Sequence, residues 1–253
     1  MPKSLPLVLL LFPFCIACNR YQYSTISSSQ LDKNEINELV FENDSLKLVY
    51  NFMGRDLGPE IFIENKLSVP VYIDWRESAL VVDGRTHSYA PIQVDLYGNA
   101  LSGLLTSMPS TMDFIPPRAN VNKTPLVLTQ YYSTDIPKSS LHKTRYTAAG
   151  ISHGVKTAIF TESTSPMRFR SIISYMVGSS NSEPLHVEHS FYISSVMNAR
   201  TAPPGIMVNG NHGNQFYTSK LTAGGTVAAV LAFGAITAGV IITDKFNGTS
   251  APY

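Results

Sequence analysis

Few residues in this 253-residue chain combine types and spacings that could do chemistry. Gly150-Ile151-Ser152-His153-Gly154 matches the G-x-S-x-G pattern, in which a serine on a strained strand-to-helix turn becomes a nucleophile above a parallel sheet. Ser152 would then serve ester or amide hydrolysis. However, Tyr146 to Ala149 makes a poor buried strand and no α/β alternation surrounds it, so an ordinary Gly/Ser-rich turn is the simpler reading. His186-Val187-Glu188-His189, with Glu183 nearby, offers metal-ligand types. On an extended chain His186 and Glu188 share one face while His189 points to the other, so further ligands would have to come from elsewhere. Trp75 is the one tryptophan, set in Asp74-Trp75-Arg76-Glu77. It is either a platform on which a sugar stacks or a plug in the core, and it is the candidate ligand-binding residue. Asp56, Asp74, Asp95 and Asp113 show no spacing that would pair them as acid and base. No catalytic residue, metal ligand or cofactor is assigned on these grounds, and the expectation is a protein that is not an enzyme.

Composition narrows the setting. The chain is 44% hydrophobic and 15% charged, with a formal net charge of +1. Near-neutrality gives no electrostatic reason to expect nucleic acid. The low charge and the abundance of Ser, Thr, Asn and Tyr suit a β-rich envelope protein. Cys15 and Cys18 are the only cysteines, so the body of the chain holds no disulfide and must be stabilised by packing.

The elements that would position these residues are short strands. Leu31 to Glu42 forms an entry segment, a helical turn followed by a strand. Leu46, Leu48 and Tyr50 then alternate with Lys47 and Val49, and Glu60 to Glu64 resumes the period of two. Val71 to Trp75 and Ala79 to Val82 make two further strands, the second ending in the tight-turn pair Asp83-Gly84. Asp113 to Pro117 suits a sheet edge, since its two prolines cannot donate to a ladder. Strands are also expected at Thr124 to Tyr132 and Val155 to Phe160, and Phe169 to Val177 with His189 to Met197 form a hairpin around a polar turn. The spacing predicts an all-β fold, an antiparallel Ig-like sandwich over residues 39–200.

Both ends of the chain carry apolar runs. Residues 1–17 have the parts of a secretory signal peptide: Lys3, then an apolar stretch too short to span a bilayer well and interrupted by Pro6 and Pro13. Its end, Cys15-Ile16-Ala17-Cys18, resembles the lipobox of bacterial lipoproteins. The resemblance implies that Cys18 becomes the mature N-terminus and carries acyl chains such as palmitate; an ordinary signal peptide or an uncleaved anchor is the alternative. Two acyl chains suffice for stable attachment. Residues 18–38, opening with the polar Asn19 to Ser29, would be a tether. Asn19, with no acidic pair after Cys18, implies by the same resemblance the outer membrane on its periplasmic face.

Asn65-Lys66, then Pro70-Val71-Tyr72-Ile73-Asp74-Trp75 with Ser78, Ile115-Pro116-Pro117, and Phe191-Tyr192-Ile193-Ser194 together resemble lipoproteins of Bacteroidetes. The resemblance covers Leu39 to Met197 with gaps, and its motifs imply structure and no activity. Asp44-Ser45-Leu46 is similar to the O-glycosylation site of that phylum and equally suits a plain turn.

At the far end, residues 201–220, with Pro203-Pro204 and Gly210 to Gly213, read as a linker. Leu221 to Ile242 is 22 residues without a charge, long enough as a helix to cross a bilayer, so residues 221–243 are expected to span a membrane ahead of a 244–253 tail. Gly225 with Ala229 and Gly234 with Ala238 form small-residue rows that would let copies self-associate. A Gly/Ala-rich core helix or an apolar tail is the alternative. A spanning helix sits awkwardly with an outer-membrane address, which leaves the inner membrane open. The expectation is a lipid-anchored cell-envelope protein, held by Cys18 and Leu221 to Ile242, with a structural or interaction role. The alternatives are a glycan- or peptide-binding module, or a serine hydrolase using Ser152.

Overall fold

The computed structural model describes residues 19–90, 111–124, 126, 128, 136–207 and 211–221. Residues 22–218 form one compact unit; a second comprises residues 1–21 and 219–253, of which only the outer ends of two strands are described. In chain order the strands begin with β1 (Asn19–Ser27), β2 (Asp32–Lys33), β3 (Leu39–Glu42), β4 (Leu46–Asn51) and β5 (Gly54–Arg55). There follow β6 (Glu60–Asn65), β7 (Val71–Val82), β8 (Arg85–Ser88), β9 (Met112–Ile115) and β10 (Asn120–Lys123). The last five are β11 (His142–Ala148), β12 (Ile151–Ile159), β13 (Arg168–Val177), β14 (Leu185–Ala199) and β15 (Gln215–Leu221), with a single-turn helix α1 (Pro203–Ile206) between β14 and β15.

The all-β expectation holds, and the strands fall into two sheets. One has five antiparallel strands in the order β10-β6-β4-β3-β2. The other has ten, ordered β5-β15-β1-β14-β13-β7-β8, with β9 on β7, β12 on β14 and β11 on β12. The pairings among β7, β8, β9, β11, β12, β13 and β14 are antiparallel, and β15 pairs with β5 in parallel. Alternation drives the smaller sheet: Leu46, Leu48 and Tyr50 of β4, and Ile61 and Ile63 of β6, are fully buried while their neighbours face outward. They share one core with Ile73, Leu80, Phe169, Ile173, Phe191 and Ile193 of the larger sheet. Phe191 is its hub, with ring centroids 5.1 Å from Tyr50, 5.5 Å from Phe52 and 5.1 Å from Phe169. Each such buried ring contributes about 2–3 kcal/mol by area, and the edge-on pairs about 0.5–1.5 kcal/mol more.

The expected strands Val71 to Trp75 and Ala79 to Val82 are one strand, β7. Ile172 faces Ala79 and Ser174 faces Asp74, so Ile173 alone stands opposite Trp75 to Ser78. Ser78 fills the bulge: its hydroxyl donates to the Asp74 carbonyl at 2.6 Å and accepts the Ser174 N–H at 2.9 Å. The polar Arg76-Glu77-Ser78 looks like a turn in the sequence because a bulge places extra residues outside the ladder. Two hairpins use paired positive φ angles as expected of type I′ turns: Asp83 at 48° with Gly84 at 78°, and Ala149 at 47° with Gly150 at 79°.

The boundaries of the domain need correction. The 18–38 segment is no tether over residues 19–27, which form β1 between β14 and β15; Gln22, Tyr23, Ser24 and Ile26 are buried. Nor is 201–220 a linker throughout, since β15 starts at Gln215, Phe216 is fully buried, and His212 and Asn214 are nearly so. Both segments look solvated in the sequence because much of what they bury is polar. Gln22 Nε2 donates to Asn198 Oδ1 at 3.1 Å, Ser27 Oγ to Ser194 Oγ at 2.9 Å, and Gln215 Nε2 to Thr25 Oγ1 at 3.1 Å. Asn214 Nδ2 donates to the Ile26 carbonyl at 2.8 Å. The entry segment forms β2 and β3 with a turn between them in place of a helical turn. Residues 1–17, Cys18 and the run from Leu221, with Gly225, Ala229, Gly234 and Ala238, lie outside the described residues, except that Leu221 ends β15. Among the described residues no helix is long and apolar enough to cross a membrane.

Candidate functional site

The outward face of the five-stranded sheet holds an open groove of about 460 Å³. Alternation puts Lys47, Val49 and Asn51 of β4 on this face, opposite Glu64, Phe62 and Glu60 of β6. Asn122 of β10 lies beside Phe62, and Asn34 and Glu38 close the groove from the turn between β2 and β3. Val49 and Phe62 make an apolar floor; amides and carboxylates make the walls.

Those walls are held in place. The Glu38 carboxylate accepts Asn34 Nδ2 and Asn51 Nδ2, each at 2.7 Å. Asn34 Oδ1 accepts the Ile36 and Glu38 N–H groups at 3.2 and 2.9 Å, and Asn51 Oδ1 accepts the Met53 N–H at 2.8 Å. Asn122 Nδ2 donates to Glu60 Oε1 at 2.6 Å. Lys47 also lines the groove. Two carboxylates held by asparagines beside an aromatic ring suit a polar, neutral ligand with an apolar face, such as a sugar ring or an extended peptide.

The residues singled out by type and spacing sit elsewhere. Ser152 lies on β12 opposite Thr147 of β11, two residues past a hairpin turn, and no strand-to-helix elbow forms. His153 points to the other face of the strand, where its Nδ1 lies 3.1 Å from Thr201 Oγ1. Gly150 of the motif is thus turn chemistry, and Gly154 lies within β12 opposite Arg145. His186 and Glu188 are exposed on β14, Glu188 accepting Arg170 Nη1 at 2.6 Å, while His189 is buried on the opposite face. Among the described residues no three His, Cys, Asp or Glu side chains gather as a metal site would require.

Trp75 is no stacking platform. It is 2% exposed, donates its Nε1–H to Asp113 Oδ2 at 2.9 Å and meets the Tyr89 ring edge-on at 6.2 Å. Asp113 also takes Lys123 Nζ at 3.1 Å, so the tryptophan anchors β9 to β7. Asp74 instead pairs with Arg76 through Nε at 3.2 Å and Nη2 at 2.9 Å, which holds its carboxyl below the usual range. Asp56 pairs with Arg55 at 3.6 Å, and Asp95 lies outside the described residues.

Sequence reasoning missed a polar chain through the core. Tyr89 Oη donates to Ser171 Oγ at 3.0 Å; Ser171 faces His189 across β13 and β14. Tyr50 Oη lies 3.0 Å from His189 Nδ1. Burial raises both phenols, Ser171 acting the other way, and lowers His189 to about 4. A neutral phenol and a neutral imidazole therefore share this hydrogen bond at pH 7, tying the two sheets together. The signal was the alternation itself, which puts Tyr50 in phase with Leu46 and Leu48, and His189 in phase with Phe191 and Ile193. Compared with protein-family models, curated proteins and solved structures, the chain matches none.

Proposed function

We propose that this chain is a lipid-anchored protein of the bacterial cell envelope whose Ig-like sandwich acts by binding, with the groove on the five-stranded sheet as its binding face. The observation that carries the reading is the groove: Glu38 held by two asparagines and Glu60 by a third, above Val49 and Phe62. Side chains fixed by their neighbours lose little further freedom when a ligand arrives, which favours recognition. A glycan or an extended peptide fits this chemistry. Attachment is through acylated Cys18, with the outer membrane facing the periplasm as first address and the inner membrane as second. The uncharged run at Leu221 to Ile242 would be a further hold.

Two measurements test the reading. Cell fractionation of the wild type and Cys18→Ala, each with and without residues 221–253, separates the two anchors; a soluble, unacylated wild type refutes the lipid anchor. Retention on immobilised envelope glycans and peptides should fall at least tenfold in Phe62→Ala/Glu60→Ala, and unchanged retention removes the groove.

A further inference from the structure

The β11–β12 hairpin carries charge of one sign. Residues 142–161 contain Lys143, Arg145 and Lys156 and no acidic residue, and none occurs from His189 to Thr243. Residues 32–65, which build most of the five-stranded sheet, instead carry eight acidic and three basic side chains. The near-neutral net charge therefore conceals a polarised molecule.

Register brings the cations together. Lys143 faces Lys156 directly across the hairpin, Arg145 faces Gly154, and Lys156 faces Asn198 on β14. Arg200 follows the end of β14, where the Thr201–His153 contact holds the chain against β12. All four cations are exposed, and no ion pair among the described residues involves them. Like charges directly opposite in a sheet are destabilising, so folding alone does not favour Lys143 beside Lys156. Ile151, 62% exposed, starts β12 immediately after the Ala149-Gly150 turn. An apolar tip ahead of a cationic shaft has the chemistry of an element that rests in lipid headgroups.

We infer that this hairpin, with Arg200, contacts the anionic phospholipid surface of the membrane that holds the chain. The inference rests on the lipid-anchor reading. Asn198, the neighbour of Lys156, accepts a hydrogen bond from Gln22, four residues after Cys18 and so at most about 14 Å of extended chain away. A cationic patch on so short a leash sits within about two Debye lengths of the phosphates. The acyl chains hold the protein, and the hairpin fixes how it stands.

The test places a fluorescent side chain at position 151 by codon suppression in the full mature chain. The chain is reconstituted into vesicles that carry a lipid-borne quencher and are either rich in phosphatidylglycerol or made of phosphatidylcholine alone. Quenching should be at least twofold stronger on the anionic vesicles. High salt, or Lys143→Glu/Arg145→Glu/Lys156→Glu/Arg200→Glu, should abolish the difference. Salt acts on unaltered protein, so the test survives a variant that fails to fold. Equal quenching on both vesicles overturns the inference, as does a difference that persists in high salt. The same gain for a probe at Asp44 on the five-stranded sheet, or tighter salt-sensitive binding to duplex DNA than to the anionic vesicles, overturns it too. The mass of the mature N-terminus is read in parallel. If Cys18 is unmodified the anchor reading fails, and the same quenching on added anionic vesicles then decides the hairpin separately.

Discussion

The two faces of the core bury different chemistry with the same pleat. On the five-stranded sheet β4 and β6 turn Leu46, Leu48, Ile61 and Ile63 inward, and burial is aliphatic. Along β15, β1 and β14 the buried set includes Gln22, Ser24, Asn214 and Thr218. Two of these are matched to side chains or carbonyls of neighbouring strands: Gln22 to Asn198 and Asn214 to Ile26. The first region is stabilised by removing surface from water. In the second, polar groups such as Gln22 and Asn214 exchange water for a partner, a nearly neutral trade that becomes costly only when a partner is lost. The aliphatic side therefore resists change by volume, and the polar side resists it by pairing.

The largest test of that contrast is deletion of residues 19–27. If the segment were a tether, the remaining chain would keep its cooperative unfolding. As an interior strand, its loss leaves the ladders of β14 and β15 open and should abolish the cooperative transition in circular dichroism. Next, Phe191→Ala removes the ring on which Tyr50, Phe52 and Phe169 converge. A loss of about 3–5 kcal/mol is expected in urea unfolding, because so many packed rings cannot close the cavity.

The same contrast explains what was legible in the sequence. Apolar alternation revealed β4, β6, β13 and most of β14, because burial there follows hydrophobicity. It hid β1 and β15, whose inward Gln, Ser, Asn and Thr look like solvent-facing residues unless their cross-strand partners are known. The β7 bulge was hidden for a related reason, since Ser78 replaces a ladder bond with its hydroxyl. Of the groove, period two put Lys47, Val49 and Glu60 outward. That Asn34 and Asn122 join them depends on a turn and a strand pairing that no local pattern specifies. The glycines of Gly150-Ile151-Ser152-His153-Gly154 were legible as a motif and belong to a hairpin, because turn chemistry and nucleophile elbows draw on the same small residues.

Where the two chemistries meet, His189 gives a pH test. Its folded value is about 4 against about 6.5 unfolded. Between those values the unfolded chain binds a proton that the folded chain excludes. The contribution of neutral His189 is therefore complete above about pH 6.5 and is lost as pH falls towards 4, amounting to about 3 kcal/mol. The groups facing the imidazole are the Tyr50 phenol, the Phe41 ring and Ser171, none of which bears a charge. His189→Gln keeps an acceptor for Tyr50 and should flatten the stability profile across that window relative to wild type. An identical acid profile in the variant would place the titration elsewhere.

The smallest effect is the most discriminating. Ser27 Oγ donates to Ser194 Oγ at 2.9 Å, and Ser194 Oγ donates to the Thr25 carbonyl at 3.2 Å. If pairing governs this region, Ser194→Ala should cost about 1 kcal/mol, since it strands the Ser27 hydroxyl and weakens the hold on a carbonyl. Adding Ser27→Ala should cost little more, because the group left without a partner is then gone. The double-mutant cycle in urea should give a coupling of about 0.5–1 kcal/mol. Additive losses would mean that the two hydroxyls act independently, through solvation. The same cycle at Leu48 and Ile63, neighbours across β4 and β6, should differ in kind. There each truncation costs about 1 kcal/mol or more by lost volume, and the double variant should be worse than either single one.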